Sequence, residues 1–355
     1  MRTRLTLVFG IFVVMALSNA IVPVLPYYGT GSSVHGLIYA AYFLGAFLTT
    51  LPAGILSDRF GRTPLIRLGL AITVTSGLFL AANPGTYMVL AARFAEGIGA
   101  GLFVAAAMSW VNAAADHVRL SGWLMASMNA GLVAGLLVAG WLAAYLPVPA
   151  GGILVFSLAA AVPALAAFLV REPSAAASRI PEGTVVRFLI QYRWLWYSSV
   201  ILIGITGVLT SLYPKFSGAP GELVGFWTAG MSVATIAAVL VYSRASLSPV
   251  PVIRIVAVLF GIAVIISYVT PAGFILIGAL AGIVMIAQMA FLAGVQEYQG
   301  VIMGLFSTMS YLGMAILPAA AGLVADGAGF FAAFVLSALC AGTVAVTIGR
   351  CSCNT

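Results

Sequence analysis

Arg93 and Glu96 stand three residues apart in "RFAEGIGAG" (93–101), inside a stretch that is otherwise apolar. Residues three apart share one face of a helix, so the guanidinium and the carboxylate can pair. Arg93 lies about seven residues, roughly 10 Å, from the start of its apolar run near Thr86. A charge at that depth in a membrane needs a partner, a cavity or the protein interior. Two readings stand: the pair neutralises itself between packed helices, or Glu96 takes up and releases a proton while Arg93 tunes it. Glu96 is the carboxylate placed well inside an apolar run, and the glycines at 97, 99 and 101 allow close helix contact there.

A second charged stretch, "GILSDRFGRTPLIR" (54–67), sets Asp58 among Arg59, Arg62 and Arg67 between two apolar runs. Arginines alone would serve as a membrane anchor, and Arg67 is read that way. An anchor needs no acid, so Asp58 asks for a positive counterpart: an arginine, or the partial charge of a helix N-terminus. Gly54 would let its helix approach a neighbour closely, and Gly61 would permit a tight turn. Asp116, in "AAADHVR", is the other acid near that loop and is expected to pair with Arg62 or Arg59.

Other chemistry has little to work with. The two histidines, His35 and His117, sit near loops, and no nucleophile, metal cluster or phosphate loop appears. Cys340 reads as a small hydrophobe, and Cys351 and Cys353 have no partner cluster. No enzyme activity, cofactor, metal or nucleic-acid partner is expected.

The elements that must position these charges follow from composition. The 355 residues are 63% hydrophobic and 6% charged, against about 25% charged in soluble domains. With a mean hydropathy of +1.16, the natural solvent is the lipid bilayer. Apolar runs near 5–26, 34–56, 65–83, 86–111, 120–145 and 151–170 predict six spanning helices. Six more are predicted near 194–213, 222–242, 252–269, 272–294, 301–324 and 328–349. The expected fold is all-α with twelve spans in two six-helix bundles, 1–170 and 194–355, joined by a cytoplasmic linker at 171–193. The split between the ninth and tenth spans rests on "TPAG" (270–273). The first run begins like a secretory signal but continues through "IVPVLPYY", so it is read as a retained helix.

Orientation follows from the basic residues. With both termini in the cytoplasm, all arginines except Arg93 fall in inner segments and Lys215 falls outside. An odd number of spans would scramble that bias. The halves also repeat. A shift of 182 lays Gly122, Gly131 and Gly140 over Gly304, Gly313 and Gly322, and a shift of 185 lays Gly45, Thr50 and Arg59 over Gly230, Thr235 and Arg244. Two duplicated halves suit a machine that rocks about a central site.

With these features the chain resembles the major facilitator superfamily of secondary transporters. Gly54, Leu56, Asp58, Arg59, Gly61, Arg62 and Ile66 match the family's loop signature, with Thr63 departing from its basic position. The resemblance implies that this loop is a conformational latch, with Asp58 reaching the N-terminus of the eleventh span near Val301 to Gly304. "RFAEGIGAG" is similar to the family's fourth-span motif, which implies a coupling role for Arg93, Glu96 and Gly97. The fifth-span antiporter motif is partial: Gly131, Gly135 and Gly140 fit, whereas Leu136 and Ala139 replace a proline and a glycine, and the repeat partner in span eleven carries Pro318.

Candidate cavity residues are the polar and aromatic side chains within spans: Asn19, Tyr42, Asn129, Thr206, Trp227, Gln288 and Tyr311. An amide in lipid needs partners, whether another helix or a solute. Such a cavity, mostly apolar with few ionisable groups, favours a lipophilic, neutral or weakly cationic small molecule. The expected function is proton-coupled export by a monomer in the cytoplasmic membrane, working by alternating access. The competing expectation is a transporter-fold receptor or assembly partner without flux.

Overall fold

The computed structural model describes residues 2–82, 85–112, 114, 117–145, 150–170, 183–242, 248–295 and 299–350. Among the described residues every regular element is a helix. In lipid the backbone must satisfy its own hydrogen bonds, and a helix does so within one segment. The spans are Thr3–Tyr28, Ser32–Ser57, Arg62–Ala81, Thr86–Val111, Arg119–Tyr145, Gly151–Leu169, Arg193–Ser217, Gly221–Tyr242, Pro249–Val269, Gly273–Leu292 and Val301–Arg350. The last runs for 50 residues, too long for one crossing. It turns at Gly329 (φ 86°, ψ 164°), giving the eleventh and twelfth spans. The chain is therefore an integral, multi-pass membrane protein.

Local sequence explains the breaks. The first span is helical to Ala20, tightens into a 3-10 turn at Val22–Val24 around Pro23, and resumes at Leu25–Tyr28. Proline lacks the donor that would continue the ladder, so the α-helix is interrupted there. At "TPAG" the ninth helix ends at Val269, and the Gly273 amide turns back onto the Thr270 carbonyl before the tenth begins. Gly61 (φ 85°) makes the sharp turn between spans two and three.

The chain folds as two compact units, Met1–Thr30 with Ala41–Arg179 and Ser217–Ala229, and Gly31–Ala40 with Ile180–Phe216 and Gly230–Thr355. The second helix thus gives its start to the second unit and its remainder to the first. Likewise the eighth helix begins in the first unit and continues in the second. Spans one and seven are the most enclosed helices, with 72% and 78% of their apolar windows buried. In the first unit a side chain at Gly131 of span five would collide with the Phe12 carbonyl of span one. In the second, one at Gly313 of span eleven would collide with the Val200 carbonyl of span seven. The duplicated glycines therefore do the same work in each unit: they let a helix lie directly on a neighbour's backbone.

One element was not anticipated. Thr184–Gln191, within the polar linker stretch, is a short helix. Thr184 and Phe188, four residues apart, face inward, while Val186, Arg187 and Ile190 face out. The indole Nε1 of Trp196 donates to the Phe188 carbonyl (3.0 Å), and Tyr192 packs edge-on against Phe291. Aromatic contacts thus fasten this helix to spans seven and ten.

Candidate functional site

The site is built around Arg93 and Glu96, each 1% exposed. Arg93 Nη1 donates to Glu96 Oε2 at 2.7 Å, and Nη2 donates to the Ser18 carbonyl at 3.1 Å. The Tyr42 ring lies over the guanidinium, 4.6 Å from Cζ. Three helices therefore converge on one charge. Span four supplies the pair, span one a carbonyl, and span two an aromatic face. Gly97 explains how Tyr42 gets there, since any side chain at 97 would collide with the Tyr42 backbone carbonyl. Close approach of span two lays the ring on the arginine.

Electrostatics makes this arrangement consequential. A buried ion pair survives when its remaining lone pairs and protons are satisfied, and removing one partner leaves an uncompensated charge. A cation over an aromatic face, out of water, contributes about 2 kcal/mol. Satisfaction is incomplete: Glu96 Oε1 and Arg93 Nε are buried with no hydrogen-bond partner among the described residues. Glu96 thus offers one oxygen to Arg93 and keeps the other open. Such a carboxyl group can accept a proton on Oε1 without giving up its bond through Oε2.

At the second-to-third-span loop, Arg62 Nε donates to Ser109 Oγ of span four (2.9 Å). Arg67 caps the end of span six, donating to the carbonyls of Ala167 (3.0 Å) and Phe168 (3.1 Å) and lying 5.3 Å from the Phe168 ring. Arg67 is therefore fixed to a helix C-terminus, where a cation opposes the dipole, and is more than a topological marker. Gly54 departs from expectation. Nothing lies within 4 Å of where its Cβ would be, so in this conformation it faces open space and makes no close helix approach. The side chains of Asp58 and Arg59, and all of Asp116, lie outside the described residues.

The candidate cavity residues divide between the units. In the first, Asn19 Nδ2 donates to the Leu132 carbonyl of span five (3.4 Å), and Asn129 Nδ2 turns back on the Met125 carbonyl of its own helix (2.8 Å). Trp227 is half-buried there. In the second, Gln288 is fully buried, and its Nε2 donates to Ser198 Oγ of span seven (2.9 Å). Its Oε1 is unpartnered among the described residues. Thr206 Oγ1 bonds the Ile203 carbonyl of its own helix (2.6 Å), and Tyr311 is half-buried. Sequence reasoning missed Ser18 and Ser198, because a backbone carbonyl and a lone serine carry no spacing signal.

The comparisons agree with this architecture. A nucleoside transporter, NupG, superposes with a TM-score of 0.78 at 12% identity, covering 99% of this chain and 100% of that one. A bacterial homologue of the human lysosomal transporter Spinster, in an inward-facing and occupied conformation, gives 0.77 at 14% identity over 99% and 96%. Among relatives, the multi-drug resistance efflux pump PmrA of Streptococcus pneumoniae is 32% identical over 170 residues, 45% of this chain and 42% of PmrA. The class B tetracycline resistance protein of Escherichia coli is 32% identical over 108 residues, 30% of this chain and 27% of that protein. The chain thus matches less than half the length of these relatives. The family model described as Major Facilitator Superfamily matches residues 7–318, and the chain belongs to that family.

Proposed function

We propose that the chain is a secondary transporter that exports a small lipophilic, neutral or weakly cationic solute in exchange for protons by alternating access. The observation that carries this reading is the buried Arg93–Glu96 pair, with one carboxylate oxygen bonded and the other open. Within a family fold and with efflux proteins among its relatives, that pair is the natural place to hold a proton. Glu96 carries it, Arg93 sets how readily it is held, and Tyr42 and Ser18 keep the guanidinium in place. Gly97 maintains the helix contact on which the ring depends. Asn19, Asn129, Thr206, Trp227, Gln288 and Tyr311 are proposed to contact the solute.

The signature loop serves as a latch in this reading. Asp58 engages the N-terminus of span eleven in one conformation, while Arg59, Arg62 and Asp116 tie neighbouring helix ends. The working unit is a monomer in the cytoplasmic membrane, with bundles 1–170 and 194–355 joined through 171–193 and both termini inside.

The test uses purified protein in proteoliposomes, with an imposed pH gradient and a lipophilic cation such as ethidium as probe. The intact protein should accumulate or extrude the dye according to the gradient. Glu96→Gln, Arg93→Ala and Asp58→Asn should each insert normally and lose gradient-driven flux. Full flux in all three variants would remove the mechanism.

A further inference from the structure

The second unit contains an ionic clasp at the start of span two. Asp326, near the end of span eleven, accepts hydrogen bonds from the backbone amides of Ser32 (2.9 Å) and Ser33 (2.8 Å), the first two residues of that helix. The Ser33 hydroxyl donates to the same carboxylate. Lys215, at the end of span seven, completes the cluster at 3.4 Å, with both charged side chains about one-third exposed. A carboxylate placed on free amides at a helix N-terminus satisfies donors that the helix cannot and faces the positive end of its dipole. Below it, Gly322 lies against the Ser32 carbonyl and Gly36 against the Pro318 carbonyl, where any side chain would push the two helices apart.

The internal repeat sets this clasp apart from its counterpart in the first unit. A shift of 182 lays Gly322 on Gly140, and in the first unit Gly140 lies close to the Gly221 carbonyl at the start of span eight. The same backbone-on-backbone contact therefore occurs twice. Yet the position equivalent to Asp326 is Ala144. The start of span eight instead carries its own first-turn acid, Glu222. Around it are Leu137, Val138, Trp141, Leu223 and Phe226, which together line an apolar groove of about 590 Å³. One copy of the contact is apolar, with an acid on the helix itself. The other is locked by a charge borrowed from a neighbour.

We infer that Asp326, assisted by Lys215 and Ser33, is a gating residue: its carboxylate latches the predicted outer end of span two to span eleven and must release for that side to open. This rests on the alternating-access reading above. It places at the outer end of the two helices the mirror image of the contact proposed for Asp58 at their inner end. In each, an acid near the end of one helix caps the start of the other, so the two latches favour opposite states of the cycle. Partial exposure suits release, because water can take over the freed amides and carboxylate. A sealed ion pair would resist it.

The experiment is pulsed electron spin resonance on full-length protein in nanodiscs, with spin labels at Leu37 and Leu323, which are 40% and 62% exposed. Wild type should give mainly the short distance of the latched state. Asp326→Ala should shift the latched-to-released ratio by about tenfold, equivalent to about 1.4 kcal/mol. Ser33→Ala and Lys215→Gln, peripheral changes with little risk to folding, should shift it the same way by less. Asp58→Asn should not release the labels. An unchanged distance distribution in Asp326→Ala and Ser33→Ala overturns the latch. Because this readout needs no substrate, it separates from the transport reading. Labels that respond in a protein showing no flux would retain the latch and remove the exporter. A Ser33→Cys/Asp326→Cys pair that transports equally well oxidised and reduced would overturn the latch even if flux is robust.

Discussion

Glycine at 97 and glycine at 54 are the same residue type placed within family-like motifs, yet their surroundings ask opposite things of them. Gly97 lies against the Tyr42 carbonyl with no room for a methyl group, whereas Gly54 faces open space in a helix. Gly97→Ala must therefore separate spans two and four and lift Tyr42 from Arg93. The expected loss is on the order of 1–3 kcal/mol, the usual cost of overpacking. Gly54→Ala should leave stability unchanged or raise it by up to about 1 kcal/mol, the helix-propensity gain. Thermal unfolding of both variants in detergent checks this, and equal destabilisation would contradict the packing described here. If Gly54→Ala nonetheless loses flux, the close approach expected of Gly54 belongs to another state of the cycle.

Among the elements, the short helix Thr184–Gln191 carries the clearest packing argument. Phe188 is 2% exposed and its carbonyl receives the Trp196 indole, while Val186, on the opposite face, is 57% exposed. Phe188→Ala should cost about 3–5 kcal/mol, as expected for emptying an aromatic site, and should expose the linker to limited proteolysis. Val186→Ala should do neither. The sequence displayed this helix poorly because its eight residues are flanked by polar, proline-containing chain and are too short to stand alone in water. What stabilises it is tertiary: the aromatic side chains of spans seven and ten. The long spans were legible for the opposite reason. Their apolar runs are set by bilayer thickness, so span existence and the break at "TPAG" could both be read before any packing was known.

For the whole molecule, the arginine distribution remains the best guide to orientation. Outside Arg93 every arginine is predicted on one side, and Lys215 on the other. Green fluorescent protein fused at the carboxyl end should fluoresce, and alkaline phosphatase at the same position should be inactive; the reverse pattern would invert the topology and exchange the sides of both proposed latches. By itself, the sequence determined an all-helical membrane protein of twelve spans, its family, and the pairing of Arg93 with Glu96. Those features depend on composition, bilayer thickness and helical spacing, which act along the chain. Only the tertiary structure decided that Tyr42 and Ser18 close around the arginine, that Gln288 bonds Ser198, and that Asp326 caps the start of span two. Each joins residues distant in the chain through helix contacts set by small side chains, and no local pattern specifies which helices will meet.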